Sequence, residues 1–366
     1  MTMQIQYDVD DDAYTFSTLP GTSYSRAGPG TAVNASGGVV SFLTGVPRIT
    51  NRGMLIEAAA TNFVRQSQTL TAAEWIGAGM TRTADHAVAP DGTMTADRIE
   101  FAAGTSYFSS STAGGCPTNT IVTMSFWAKA VSAGHIIGSR SGASGLTALH
   151  TLTTSWQRFT WTFLSHSTTE VVQLANVGLV AGASATCDFH VWGIQLEVGS
   201  NATSYIATTT AAVTRPVDTM TSTISVPNNV DFVVFAEVSL SGASATQQRF
   251  VELDAGSNAN RIVVYRASDG TVVTSVTVAS SAVVLASTVK TGARTLKIAV
   301  RRVGSSYQMF VDGVALAAST VAALPTLTTL FDGHGRSNAT PINDYVRRRA
   351  VFFGPYSDAA CIALTT

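Results

Sequence analysis

Along most of the chain, apolar and polar residues alternate with a period of two, the signature of strands half buried in a sheet. In 121–130, IVTMSFWAKA, Val122, Met124, Phe126 and Ala128 share one face, while Thr123, Ser125, Trp127 and Lys129 share the other. In 155–166, SWQRFTWTFLSH, Phe159, Trp161 and Phe163 oppose Arg158, Thr160 and Thr162. Two further strands, TLKIAVRRV and YQMFV, flank Gly304, Ser305 and Ser306, and the second runs through Asp312 and Gly313 into VALA. Asp-Gly between alternating runs predicts a tight hairpin. Helical periodicity is weak; single turns fit 71–75 and 357–360. Strands of this length, broken by Gly, Ser, Asn and Pro, predict an all-β chain of two antiparallel β-sandwich (jelly-roll) domains with an extended N-terminal segment.

The pattern divides the chain. Residues 1–55 are polar and Gly-rich with few alternating runs, and are expected to form an N-terminal attachment segment. Residues 56–208 make one strand-rich unit, and residues 225–366 a second. Between them, 209–224 is Thr-rich, contains Pro216 and is expected to be a linker. No fixed-period repeat is visible.

Composition narrows the function classes. Hydrophobic residues are 45% of the 366, an ordinary globular share, but charged residues are only 12%. That argues against disorder and against coiled coils, which need charged flanking positions. The 22 basic and 23 acidic residues leave a net charge of −1, which excludes a generally cationic nucleic-acid binder. No apolar run is long enough to span a bilayer, and the acidic start MTMQIQYDVDDD shows no secretory signal, so neither a membrane nor export is expected. Cys116, Cys187 and Cys361 lie far apart with no CxxC, so no disulfide framework or zinc site is expected, and folding in a reducing cytosol fits.

The string SRAGPGTAVNASGGVVSFLTGVPRITNRGMLIEAAATNFVRQS at 25–67 resembles a recurrent module of tailed-phage and gene-transfer-agent structural proteins. So do APDGTMTADRIE at 89–100, SFWAKA at 125–130, WQRFTWTF at 156–163 and, most specifically, VWGIQLEVGSNATSYIATTTAAVTRPVDTM at 191–220. That module is associated with head-spike, head-fibre and tail-appendage proteins, and its folded part is similar to jelly-roll carbohydrate-binding modules. The C-terminal unit, with KIAVRR, YQMFVDGVALA and YVRRRAVFFGPYSDAACIALT, resembles concanavalin-A/laminin-G-like sandwiches. The resemblance implies a non-enzymatic virion structural protein: a bacteriophage head fibre, capsid decoration or tail appendage, assembled in the host cytoplasm and exposed on the particle. The partners implied are capsid or tail components, sister subunits in a homo-oligomer with a trimer as the leading expectation, and host cell-surface glycan as a secondary ligand. No cofactor is implied. The alternatives are a tail-associated receptor-binding adhesin and a glycan hydrolase.

The candidate chemistry is sparse. Sandwich hydrolases of the laminarinase type carry E-x-D-x-x-E or E-x-D-x-E on one strand; here 251–256 reads Val-Glu-Leu-Asp-Ala-Gly. Glu252 and Asp254 share a face, but Gly256 and Ser257 stand where the second glutamate belongs, and retaining hydrolysis needs both carboxylates. Hence no catalytic residue and no enzyme activity are expected. The six histidines are scattered, and His190 reads as a packed side chain rather than a metal ligand. Asp8, Asp10 and Asp12 read as an exposed acidic strand or docking tail better than as a calcium site. Arg347, Arg348 and Arg349 read as solvated or as partners for a neighbouring subunit, and the loop from Asp332 to Asn338 as a potential binding edge. For sugar contact, flat aromatic rings match apolar pyranose faces. Trp127 shares its face with Ser125 and Lys129, Trp75 sits in a loop or single turn, and Tyr107 lies in a polar stretch. These three are the expected carbohydrate platforms, with burial as the alternative for each.

Overall fold

The computed structural model describes residues 3–7 as backbone, and residues 21–112, 115–242 and 246–366 in full. Asp8, Asp10, Asp11 and Asp12 lie outside the described residues. Two compact units form. One comprises Gly30–Ser41 and Ala59–Arg215; the other comprises the described residues up to Pro29, together with Phe42–Ala58 and Pro216–Thr366. The fold is all-β. Every strand pairing among the described residues is antiparallel. The C-terminal helix Asp358–Thr365 adds one short α element, capped by the Ser357 hydroxyl accepting from Ala360 N at 3.2 Å. The 71–75 stretch, expected to turn once as a helix, instead makes successive tight turns ending in the Trp75 N–H donating to Ala72 O at 3.0 Å.

The unit holding 59–215 is a sandwich of two five-stranded sheets. The first runs in the spatial order Gln157–Leu164, Ile121–Ala130, Cys187–Val198, Ala96–Phe101 and Met80–Ala87. The second runs Thr147–Thr151, Ile136–Ser141, Val171–Ala175, Tyr107–Ser111 and Ile76–Ala78. The alternation read at 121–130 is realised residue for residue: Val122, Met124, Phe126 and Ala128 enter the core with Ile99, Phe108, Leu174 and Phe189. The odd-numbered residues of that strand face outward.

The unit holding 216–366 carries the second pair of sheets. One is ordered around Ser306–Val311, Arg294–Val303, Phe232–Leu240, Asp344–Phe353 and Gly53–Ile56. The other runs Thr22–Ser25, Thr219–Val226, Leu327–Asp332, Gln248–Asp254, Arg261–Arg266, Thr271–Val278 and Ser281–Val284. The Asp312–Gly313 hairpin forms as expected, pairing Val311 with Val314.

Two expected boundaries are corrected. The stretch 1–55 is no separate segment in its described part, because Thr22–Ser25 and Gly53–Ile56 are strands of the C-terminal unit's sheets. Thr22–Ser25 is polar and Gly53–Ile56 is a single short apolar run, so neither builds a core alone, and partner strands far along the chain supply the pairing. The stretch 209–224 is not an extended linker. Val213–Arg215 pairs with Ala60–Asn62, and Thr219–Val226 is held on both sides by Thr22–Ser25 and Leu327–Asp332. The unit boundary falls inside it, between Arg215 and Pro216.

Candidate functional site

The strand Gln248–Asp254 places Glu252 and Asp254 on one side, as their spacing requires, and both are fully buried. Arg249 Nη1 donates to Glu252 Oε2 at 2.5 Å, and Arg261 Nη1 lies 3.7 Å from Oε1. Arg336 grips Asp254 in a bidentate pair, Nε to Oδ2 at 2.6 Å and Nη2 to Oδ1 at 2.5 Å. Arg336 comes from the loop after Asp332, the expected binding edge, which thus covers the carboxylates. A Cβ at Gly335 would sit 1.8 Å from Arg249 Nη1, so a side chain there would push the guanidinium off Glu252. Both carboxylates are paired with guanidiniums, Asp254 through both oxygens and Glu252 by a hydrogen bond through Oε2 alone, an arrangement that holds a loop in place. The arginine run is likewise absorbed within the chain. Arg347 pairs with Glu237 at 3.1 Å, and Arg349 reaches the buried Asp332 at 2.7 Å.

The expected platforms are placed differently. Trp75 is 1% exposed, donates from Nε1 to Gln66 O at 3.0 Å and packs on Phe108. Trp127 does face outward with Ser125 and Lys129, yet it is 2% exposed. Its outer face is roofed by the returning 200–208 segment, whose Tyr205 ring lies 5.7 Å away, by Trp192 at 5.3 Å and by the Arg158 guanidinium at 4.4 Å. Neither indole is open to a ligand, which corrects the platform expectation for both. Tyr107 is half-buried against Ala175, Val180 and Ala183.

The same roof explains the most distinctive sequence string. At Gly193 (φ 66) the Cys187–Val198 strand bulges, and Ile194 turns inward while Trp192 stays out. A side chain at 193 would press on Trp127, 3.1 Å from its Cε3. Beyond the bulge, the Gln195 and Glu197 side chains catch the returning chain. Ile206 N donates to Gln195 Oε1 at 2.8 Å, and Thr203 donates to Glu197 through its N–H and its hydroxyl. Burial raises the Glu197 carboxyl above the usual range, opposed by these bonds.

What remains open is the lower half of that outer face. Register aligns Lys129 with His190, His190 with Arg98, and Arg98 with Thr83 across four strands. Trp156, at the head of the fifth strand, is half-buried, carries the Lys129 ammonium 4.9 Å from its ring centre and donates from Nε1 to Val88 O at 3.0 Å. Arg98 chelates Asp188, Nε to Oδ1 at 2.8 Å and Nη2 to Oδ2 at 2.6 Å, and lies 3.1 Å from Glu100. The hydrogen bonds from Arg98 hold the Asp188 carboxyl below its ordinary range. His86 meets His190 at 2.9 Å. A half-exposed indole, an ammonium and an oriented guanidinium–carboxylate pair thus line one solvent-facing row. Sequence reading singled out Lys129 and His190 only in passing and missed Trp156, because nothing local says which strand ends lie beside one another. Among the described residues, no group of three His, Cys, Asp or Glu side chains is arranged to hold a metal ion, and no helix is long and apolar enough to cross a membrane.

No protein-family model matches the chain, and no curated protein sequence matches it. Among solved structures, it is similar to the CBM40 of the Ruminococcus gnavus IT-sialidase bound to α2,3 sialyllactose, at 17% identity over 37% of this chain and 82% of that one, with a TM-score of 0.32. It is similar to the leech intramolecular trans-sialidase, at 14% identity over 39% of this chain and 26% of that one, TM-score 0.32. It is also similar to the heptameric SAP-like pentraxin of Limulus polyphemus, at 10% identity over 39% of this chain and 72% of that one, TM-score 0.30. None of these likenesses, at such scores, bears on what the chain binds.

Proposed function

We propose that the chain is a non-enzymatic structural appendage of a tailed-phage-type particle, a head spike, head fibre or decoration protein, and that the row from Trp156 to Arg98 binds a surface polysaccharide of the host. The observation that carries the glycan part is the row itself. The half-exposed indole, packed on the Trp127 cluster and carrying the Lys129 ammonium, offers apolar surface for pyranose C–H groups, while Lys129, Arg98, Asp188 and Glu100 offer donors and acceptors at fixed spacing for hydroxyls. The reading as a binder and not a hydrolase is supported by Glu252 and Asp254, buried beneath a loop and each neutralised by arginine. The particle assignment rests on the ordered sequence motifs, with capsid or tail components and sister copies of the chain as partners and the particle surface as location.

The test pairs binding with hydrolysis. Purified chain is titrated with host envelope polysaccharide, and Trp156→Ala and Lys129→Ala are each expected to weaken binding about tenfold or more, the scale of a lost anchor side chain. Absence of binding by the parent protein removes the glycan role. Reducing-end release that disappears in Glu252→Gln replaces it with hydrolysis. Labelled chain that is missing from imaged particles removes the virion assignment.

A further inference from the structure

The His86–His190 contact has a geometry that the glycan reading does not use. The two ring centres lie 5.1 Å apart with planes 23° from parallel, and the contact joins His86 Nδ1 to His190 Nε2 at 2.9 Å. That centre separation is close to the largest a contact of this length permits. The rings therefore meet end on, nearly coplanar, in an N–H···N hydrogen bond. His86 belongs to the strand Met80–Ala87, which among the described residues pairs with Ala96–Phe101 and ends that sheet. The register slips between Ala96 and Arg98, where Asp85 takes a left-handed backbone (φ 49) and its N–H donates to Asp97 Oδ1 at 2.9 Å. This bulge carries His86 across the intervening strand to His190.

The tautomers follow from burial. His190 is 8% exposed, and its Nδ1 is buried without a hydrogen-bond partner. A buried nitrogen lone pair tolerates that better than a buried N–H. His190 therefore carries its proton on Nε2 and donates to His86 Nδ1. A proton added to the pair has two routes, and both penalise the closed form. On His86 Nδ1 it opposes the His190 Nε2–H and breaks the bond. On His190 Nδ1 it leaves the bond in place but buries a charged ring whose second N–H has no acceptor. Lys129 and Arg98 flank His190 with positive charge; Asp188 and Glu100, the acidic groups on this face, are already engaged by Arg98. Asp97 faces the bulge from below and remains an acceptor whether charged or neutral. Burial, with Lys129 and His86 adding to it, pushes the His190 imidazole down to about 4.

We propose that His86 and His190 form a proton-operated latch on the Met80–Ala87 edge: closed by the shared N–H···N bond when both rings are neutral, and open, with the bulge at 84–86 set free, once the pair takes up a proton. The inference stands on the sheet geometry and is independent of glycan binding. Amide hydrogen exchange of the full chain tests it, with Ile121–Ala130 and Cys187–Val198 as internal standards against general acid destabilisation of the sandwich. Protection of amides 84–87 relative to those strands is expected to fall about tenfold or more between about pH 7 and about pH 4.5. His86→Gln leaves an acceptor for His190 but no second basic ring, and is expected to abolish the fall; His86 is exposed, so this variant folds. Histidine carbon NMR of the parent is expected to show the His190 ring titrating well below the ordinary histidine range. An unchanged protection ratio, the same fall in His86→Gln, or a His190 ring titrating at the ordinary histidine value would each overturn the latch.

Discussion

Asp218→Asn is expected to destabilise the C-terminal unit by about 3–5 kcal/mol, the cost of leaving a buried charge without its partner. Asp218 is fully buried at the centre of a cluster that draws the early chain into this unit. It accepts from Tyr24 Oη at 2.5 Å, Arg26 Nη1 at 3.3 Å, Glu57 N at 2.9 Å and Arg48 Nη2. Arg48 also holds Glu57 at 2.6 Å. Two guanidiniums therefore face two carboxylates. Asparagine keeps the shape, so little packing is lost, but it leaves one positive charge in excess. It also turns an N–H toward groups that donate. Arg26 retains the carbonyls of Gly28 (2.7 Å) and Leu43 (2.8 Å), which satisfy its hydrogens but not its charge. All five tryptophans lie within 59–215, so their emission reports the other unit, and the transition is best followed by far-UV dichroism during urea unfolding. Pulse proteolysis of 21–58 gives a second readout. Adding Arg26→Met to the variant is expected to recover at least about 1 kcal/mol, since neighbours in one ionic network are not additive. A loss below about 1 kcal/mol, with no coupling to Arg26, would show that these charges act like exposed pairs and that the cluster is not what holds the early chain.

Asp344 carries the opposite sign. Burial holds its carboxyl up at about 6, against hydrogen bonds from Ser241 N at 2.7 Å and Oγ at 3.0 Å. The folded chain thus holds this proton more tightly than the unfolded chain, so stability falls as pH rises from about 4 to about 6 and stays lower above, by about 3 kcal/mol. Asp344→Asn is expected to equal the parent near pH 4 and exceed it near pH 8 in urea unfolding; a parent whose stability does not fall across that window would refute the account. Trp127→Ala, which empties the space beneath Tyr205 and Arg158, is expected to cost about 3–5 kcal/mol by tryptophan-monitored unfolding, and a melting temperature unchanged from the parent would show that the ring bears no packing load.

The strands were legible because alternation is local. The 121–130 and 294–317 segments form where their patterns place them, down to the hairpin turn at Asp312. Three kinds of feature were not legible. Bulges reset the alternation without altering composition: past Gly193, Ile194 joins the core although it shares parity with the outward-facing His190 and Trp192. Pairing across long separations leaves no local trace. Thr22 meets Ser222 two hundred residues later through both strand register and hydroxyls 2.9 Å apart, so a Gly-rich stretch with no core of its own still becomes a sheet strand. Roofing is the third. Trp127 stands on the polar face that its neighbours indicate, yet the chain returns over it, and only the folded path of 200–208 reveals this.

The same distinction governs the candidate site. The missing second glutamate after Glu252 is a fact of sequence, and it alone lowers the expectation of hydrolysis. What engages the remaining pair is Arg249, Arg261 and Arg336, spread over 88 positions and brought together only by the sheet and the loop beyond it. Burying those carboxylates against guanidiniums costs desolvation that a surface rim would not incur, and charge pairing offsets that cost without exceeding it by much. Such a cluster fixes which loop conformation is stable more than it adds to total stability. Arg336→Met should therefore loosen the 333–343 loop, read as faster amide exchange there, before it lowers the unfolding midpoint. A loop tied by a bidentate pair at 2.5 and 2.6 Å, with Gly335 admitting Arg249 against it, is built to stay shut.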